Sequence, residues 1–208
     1  MSERAVKRTT EVGAAEAAEA LIIERIEASI AVKRALAPLV PEIARAADLM
    51  TDAFRQGGKA IFFGNGGSAA DAQHLAGELE SRFRFDRPPL PALALHANTS
   101  TLTAIGNDMG YDEVFARLLR AHARPEDVAV AISTSGTSPN VLAAAAVRAE
   151  VPFRLIALVG QNGAPLGAHA DVVLAVPSQV TPRVQEAHIL IGHILCELVE
   201  QRIFGQAP

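Results

Sequence analysis

A chain of 208 residues with a formal net charge of −4 can build one domain with a full core, and it has no cationic excess to suit a nucleic-acid groove or an anionic membrane surface. Half of it is apolar and a fifth is charged, as in ordinary soluble domains, while an aromatic content of 4% with no Trp argues against a base-stacking platform. The lone cysteine, Cys196, cannot form an internal disulfide and lies in the apolar run AHILIGHILCELVEQRIF, so a buried structural thiol in a reducing compartment is expected.

Residues 1 to about 12 are polar and are expected to be flexible, with residues 13–208 forming a single domain. The start lacks the long apolar core of a signal peptide, and no stretch approaches the ~20 apolar residues of a membrane span, so a cytoplasmic location without a membrane partner is expected. From Ala14 to about Ala35, Ala18, Leu21, Ile22, Ile26 and Ile30 recur at helical spacing. Pro38 and Pro41 interrupt that pattern, and Pro41 suits the first turn of a second helix over 41–56 that stops at Gly57 and Gly58. Such an amphipathic pair has to bury its stripe against its own domain or a second chain.

Past Gly58 come five short, nearly continuous apolar runs: KAIFF (59–63), PALAL (91–95), DVAVAI (127–132), FRLIALV (153–159) and DVVLAV (171–176). Strands buried on both faces read this way, and the helical patterns between them imply a parallel sheet. The fold expected is therefore α/β, a three-layer α/β/α sandwich with five parallel strands, preceded by two helices and closed by a long helix over about 182–203.

Ligands of such sheets bind at the carboxyl ends of the strands. Two loops there stand out. STSGTS, after the third strand, offers the hydroxyls of Ser133, Thr134, Ser135 and Ser138, a turn at Gly136, and a helix start with Ser138 as N-cap and Pro139 as N1. Free N–H groups and hydroxyls at a helix start favour an anion, and the loop lacks the lysine of a nucleotide-triphosphate loop, so a phosphate monoester suits it. GNGGS, after the first strand, is a tight turn in which Asn65 and Ser68 can face a polyol, with Gly66 and Gly67 between them. The helix that follows carries His74 and Glu78 at i and i+4, on one face, where both can share a divalent metal. Further ligand candidates lie in RVQEAHILIGHILCE: Gln185, Glu186, His188 and His193. His96 ends a strand near the presumed site, where it can line it, although a purely structural role is favoured, and His122, His169 and His188 receive no role.

The motifs GNGGSAADAQHLAGEL, AIGNDMGYDEVF, AISTSGTSPNV and RVQEAHILIGHILCELVE, in this order and spacing, resemble the sugar isomerase (SIS) fold over about Leu49–Glu200, and more specifically the phosphoheptose isomerases. The resemblance implies a flavodoxin-like sheet and interconversion of sedoheptulose 7-phosphate and D-glycero-D-manno-heptose 7-phosphate. It also implies one zinc ion (Zn2+) per subunit at His74, Glu78, Gln185 and His193. Substrate contacts are implied at Asn65, Gly66, Gly67, Ser68, Glu78, Asn107, Asp108, Ser133, Thr134, Ser135, Ser138 and Gln185, an acid–base pair at Glu78 and His193, and a homotetramer. Some members carry an aspartate where this chain has Pro182. Gln185 and His193 stand eight residues apart, ~12 Å along a regular helix, so either Gln185 precedes the regular helix or the site draws on two chains. The alternatives are a non-enzymatic SIS adaptor that binds the replication initiator, and an isomerase of another ketose phosphate. The presence of both Glu78 and His193 speaks against the adaptor.

Overall fold

All five apolar runs become strands in the structure, a computed structural model that describes residues 3–205, with side chains described from Glu16 onward except at Ala164. They are β1 (Ala60–Gly64), β2 (Ala92–Ala94), β3 (Val128–Ser133), β4 (Arg154–Gly160) and β5 (Val172–Val176). The sheet is wholly parallel, in the order β2-β1-β3-β4-β5. Phe62 stands beside Ala94 on one side and Val130 on the other. The chain passes from β1 outward to β2 and then returns across β1 to β3. The strand order therefore reverses between β1 and β3, where a crevice opens at the carboxyl ends of the strands. GNGGS and STSGTS are the loops that leave those two strands.

Side-chain alternation along the strands makes two cores. Phe62, Val130, Ile156, Leu158 and Leu174 face α2 (Val40–Arg55), α3 (Gly67–Glu80) and α8 (Thr181–Phe204). Ile61, Phe63, Ala131, Leu155 and Val159 face α4 (Thr99–Asp108), α5 (Val114–His122), α6 (Pro139–Ala146) and the short α7 (Ala164–Gly167). These are the three layers of the expected sandwich. Cys196 is buried in the first core, and burial, the largest cause, pushes its thiol up to about 12.

The first helix, α1, spans Glu3–Arg34 and so starts well before the predicted Ala14. Its pattern ends as expected at Pro38, which sits in a 3-10 turn, and Pro41 lies in the first turn of α2. The apolar stripe of α1 is not covered by the chain itself: Leu21, Ile22, Ile23 and Ile26 remain about half exposed or more. Arg183 of α8 tethers this helix by donating to the Arg25 carbonyl. Among the described residues, no helix is long and apolar enough to cross a membrane.

Candidate active site

α3 and α8 lie side by side and run in the same direction, because both return antiparallel to the strands on one face of the sheet. Their contact is close: a Cβ on Gly192 would meet Leu75 at 2.6 Å. That register brings three sequence-predicted ligands together. His74 Nε2 lies 3.3 Å from Glu78 Oε1 and 2.8 Å from His193 Nε2, and the donor atoms of all three fall within 4.8 Å of one another. Tetrahedral ligands held ~2.0–2.1 Å from a zinc ion sit about 3.4 Å apart, which the His74–Glu78 spacing of 3.3 Å matches, while the two imidazole nitrogens at 2.8 Å would have to part by about 0.6 Å. Two imidazoles and one carboxylate also suit a borderline-soft divalent ion. The trio can hold a metal, and its cleft is open enough for a further ligand, since the His74 side chain is 48% exposed.

Gln185 is placed elsewhere in the same chain. It stands within α8, which is helical from Thr181, so the option that Gln185 precedes the regular helix is corrected. Its carboxamide faces Gly67 at the start of α3, where an added Cβ would lie 2.5 Å from Gln185 Nε2. Gly67 and His74 are seven residues apart, ~10 Å along α3. A single ion cannot touch both Gln185 and the trio in that arrangement. Pro182 falls in the first turn of α8, a favourable place for proline.

The two predicted loops meet at the crevice. Gly66 opens α3 with φ 57°, a left-handed conformation that a side chain would strain. Asn65 exchanges two amide hydrogen bonds with the buried Asn140 of α6, at 2.8 and 2.9 Å, and accepts a third from Tyr111 at 3.2 Å. Asn65 is thereby held rigid between the two loops. Ser68, expected to face a polyol, is buried, with its Cβ packed close to Gly64. Asn107 and Asp108 are exposed at the end of α4, joined by a 2.8 Å hydrogen bond.

In the serine loop, Ser133 Oγ accepts from the Gly136 N–H at 3.1 Å and lies 3.3 Å from Ser138 Oγ. Ser138 is the N-cap of α6 as expected, but its side chain makes no capping bond, and its hydroxyl has only the long contact with Ser133. Gly136, at φ 67°, packs so closely on Gly163 that a Cβ would lie 2.5 Å from the Gly163 Cα. That contact draws the β4–α7 loop against the serine loop. The result is a cleft of about 360 Å³ lined by Thr134, Ser135, Thr137, Gln161, Asn162, Ser178, Gln179 and Thr181, all uncharged. The start of α8, at Thr181, borders the same cleft and turns its free N–H groups towards it.

Other candidates fall outside. His188 is fully buried against the sheet with neither ring nitrogen hydrogen-bonded. Burial pushes its pKa down to about 4, and the nearby Val159 backbone offsets this only slightly. Glu186 pairs with Arg183 at 2.6 Å and does not join the metal trio. His96 is held below the ordinary imidazole range by burial, with neither ring nitrogen hydrogen-bonded. Sequence reasoning missed Asn140, Tyr111 and Thr137, and also Gln161, Asn162, Ser178 and Gln179 of the cleft. It also missed Asp71, one turn before His74, whose carboxyl burial pushes up against the opposing influence of His74. The i, i+3 spacing of Asp71 and His74 was a usable signal; Asn140 had none, because its partner lies 75 residues away.

Comparison with known proteins places this fold in a family. The SIS domain family matches residues 25–160. The phosphoheptose isomerase of Rhodospirillum rubrum is 52% identical over 81% of this chain and 89% of its own. The solved structure of a phosphoheptose isomerase from Neisseria gonorrhoeae superposes with a TM-score of 0.83 at 41% identity, covering 88% of this chain and 98% of that one. One from Francisella tularensis gives 0.85 at 37% identity, over 88% and 98%. A parallel sheet with its crevice between β1 and β3, a hydroxyl- and amide-lined cleft and a His–Glu–His trio thus stand on a chain that shares 37–52% of its residues with those enzymes: it belongs to the SIS domain family and, within it, to the phosphoheptose isomerases, which makes it a sugar-phosphate isomerase.

Proposed function

We propose that the chain converts sedoheptulose 7-phosphate to D-glycero-D-manno-heptose 7-phosphate through an enediol, for heptose biosynthesis in the cytoplasm. The observation that carries this reading is the assembly of His74, Glu78 and His193 from two helices at metal-ligand spacing. Moving a proton between C1 and C2 needs a base for a weakly acidic C–H, an acid near the oxygens, and stabilisation of the enediolate. Glu78 is the base: with one carboxylate oxygen turned to His74, the other is left for proton transfer. His193 is the complementary acid. A zinc ion held by His74, Glu78 and His193 would supply polarisation of the sugar oxygens. The phosphate docks at the serine loop, on Thr134 and Ser135 where they line the uncharged cleft and on the neighbouring Ser133 and Ser138, which fixes the far end of a flexible substrate and lowers the entropic cost of aligning the near end. Asn65, held by Asn140 and Tyr111, and the backbone at Gly66 and Gly67 face the sugar; Asn107 and Asp108 approach from α4.

The position of Gln185 supports assembly of the site from two chains. Gln185 of one chain completes the zinc and sugar contacts of another chain's trio, in a homotetramer held together partly by the exposed stripe of α1. The test is turnover of sedoheptulose 7-phosphate by the wild type, Glu78→Gln and His193→Gln, with zinc determined on the same samples. Turnover and zinc in the wild type, with turnover lost in both folded variants, is the expected result. A folded, zinc-loaded wild type without turnover would exclude this substrate and point to another ketose phosphate.

A further inference from the structure

α3 and α8 are joined beyond the trio by a buried charge pair. The Arg87 and Glu200 side chains are 1% and 0% exposed, with Nε and Oε1 2.9 Å apart. Every part of the pair is used. Glu200 also accepts from the backbone N–H groups of Phe83 at 3.1 Å and Arg84 at 2.8 Å. Arg87 donates to the carbonyls of Glu78 at 2.9 Å and Leu79 at 2.7 Å, which belong to the last turn of α3. A buried ion pair seldom outweighs the desolvation of its two charges, and apolar side chains of similar size would serve stability as well. What distinguishes this pair is what it holds.

The loop pinned by Glu200 carries Phe83, whose ring stacks on His193 with centroids 5.6 Å apart and planes 28° apart. At its Nε2 edge His193 meets the His74 ring, with centroids 5.1 Å apart and planes 72° apart. Glu200 lies seven residues after His193, two turns along the same face of α8. The pair therefore fixes the end of the helix that bears Glu78 and, through Phe83, the ring plane of His193. We infer that Glu200, Arg87 and Phe83 form a clamp that positions His193 and Glu78 for metal binding and proton transfer. These three are positioning residues, and the inference rests on the reading of the trio as the working site. Groups that orient metal ligands typically cost 10–100-fold in metal affinity or activity when changed.

The experiment uses the full chain with three variants and two independent readouts. Phe83 is only half-buried, so Phe83→Leu keeps the fold. It should weaken zinc binding by the metal-stripped protein about ten-fold or more and lower kcat with KM nearly unchanged, while Phe83→Tyr, which keeps the ring, restores both. In the metal-free protein, Glu200→Gln should shift the His193 ring-proton resonances although it lies two turns away. Zinc affinity and kcat of Phe83→Leu within two-fold of wild type would overturn the clamp, as would unmoved His193 resonances in Glu200→Gln. If Glu200→Gln does not fold, Phe83→Leu decides. The resonances need neither metal nor turnover. A wild type that fails to isomerise sedoheptulose 7-phosphate therefore counts against the proposed reaction, while the clamp is judged on His193.

Discussion

Gly67 separates a structural from a functional role at a single atom. A methyl group there would displace only the end of the flexible Gln185 side chain, and helical backbone accepts alanine readily. Gly67→Ala should therefore change stability by less than about 1 kcal/mol, yet lower kcat/KM at least ten-fold by moving Gln185, as urea unfolding and steady-state kinetics on one preparation would show. His188 offers a pH prediction. The unfolded chain takes up its proton below about pH 6.5, whereas the folded chain does so only near pH 4. The unfolded state thus binds more protons between those values, so stability falls as pH drops through that window, by about 3 kcal/mol in all. His188→Leu should flatten that part of the profile in unfolding measured from pH 7.5 downward. His74 and Glu78 were legible as a pair because i, i+4 spacing is local. The partners of Glu200 were not, since they lie more than a hundred residues away and leave no periodic trace.

Among the elements, the strands were the easiest to read. Burial on both faces removes the polar alternation that would blur them, and each predicted run agrees with its strand to within one or two residues. Helix starts were harder. The start of α1 is a polar stretch that carries no apolar stripe, so its helical state left no pattern to find. At the start of α6 the sequence named the right cap residue but not its use. Because the Ser138 hydroxyl makes no capping bond, Ser138→Ala should cost under about 0.5 kcal/mol of stability. Removing a hydroxyl that donates to a phosphate should instead raise KM for the sugar phosphate about ten-fold or more. Equal KM in wild type and variant would remove Ser138 from the phosphate site.

For the whole molecule, the unburied stripe of α1 and the separation of Gln185 from the trio both support the proposed assembly of the site from more than one chain. Ile22→Glu places a charge in the centre of that stripe and should shift the sedimentation of the protein towards smaller species, with loss of turnover in proportion. Undiminished turnover by a dissociated protein would show the site to be complete in one chain. The uncharged cleft at the start of α8 also governs behaviour in different media. It offers an anion only neutral hydroxyls, amides and peptide N–H groups, on a chain that is itself net negative. Little long-range attraction is therefore available for added salt to screen. Where a lysine- or arginine-lined site weakens steeply with ionic strength, kcat/KM here should hold steady or rise between about 50 and 300 mM KCl, leaving catalysis indifferent to swings in cellular salt.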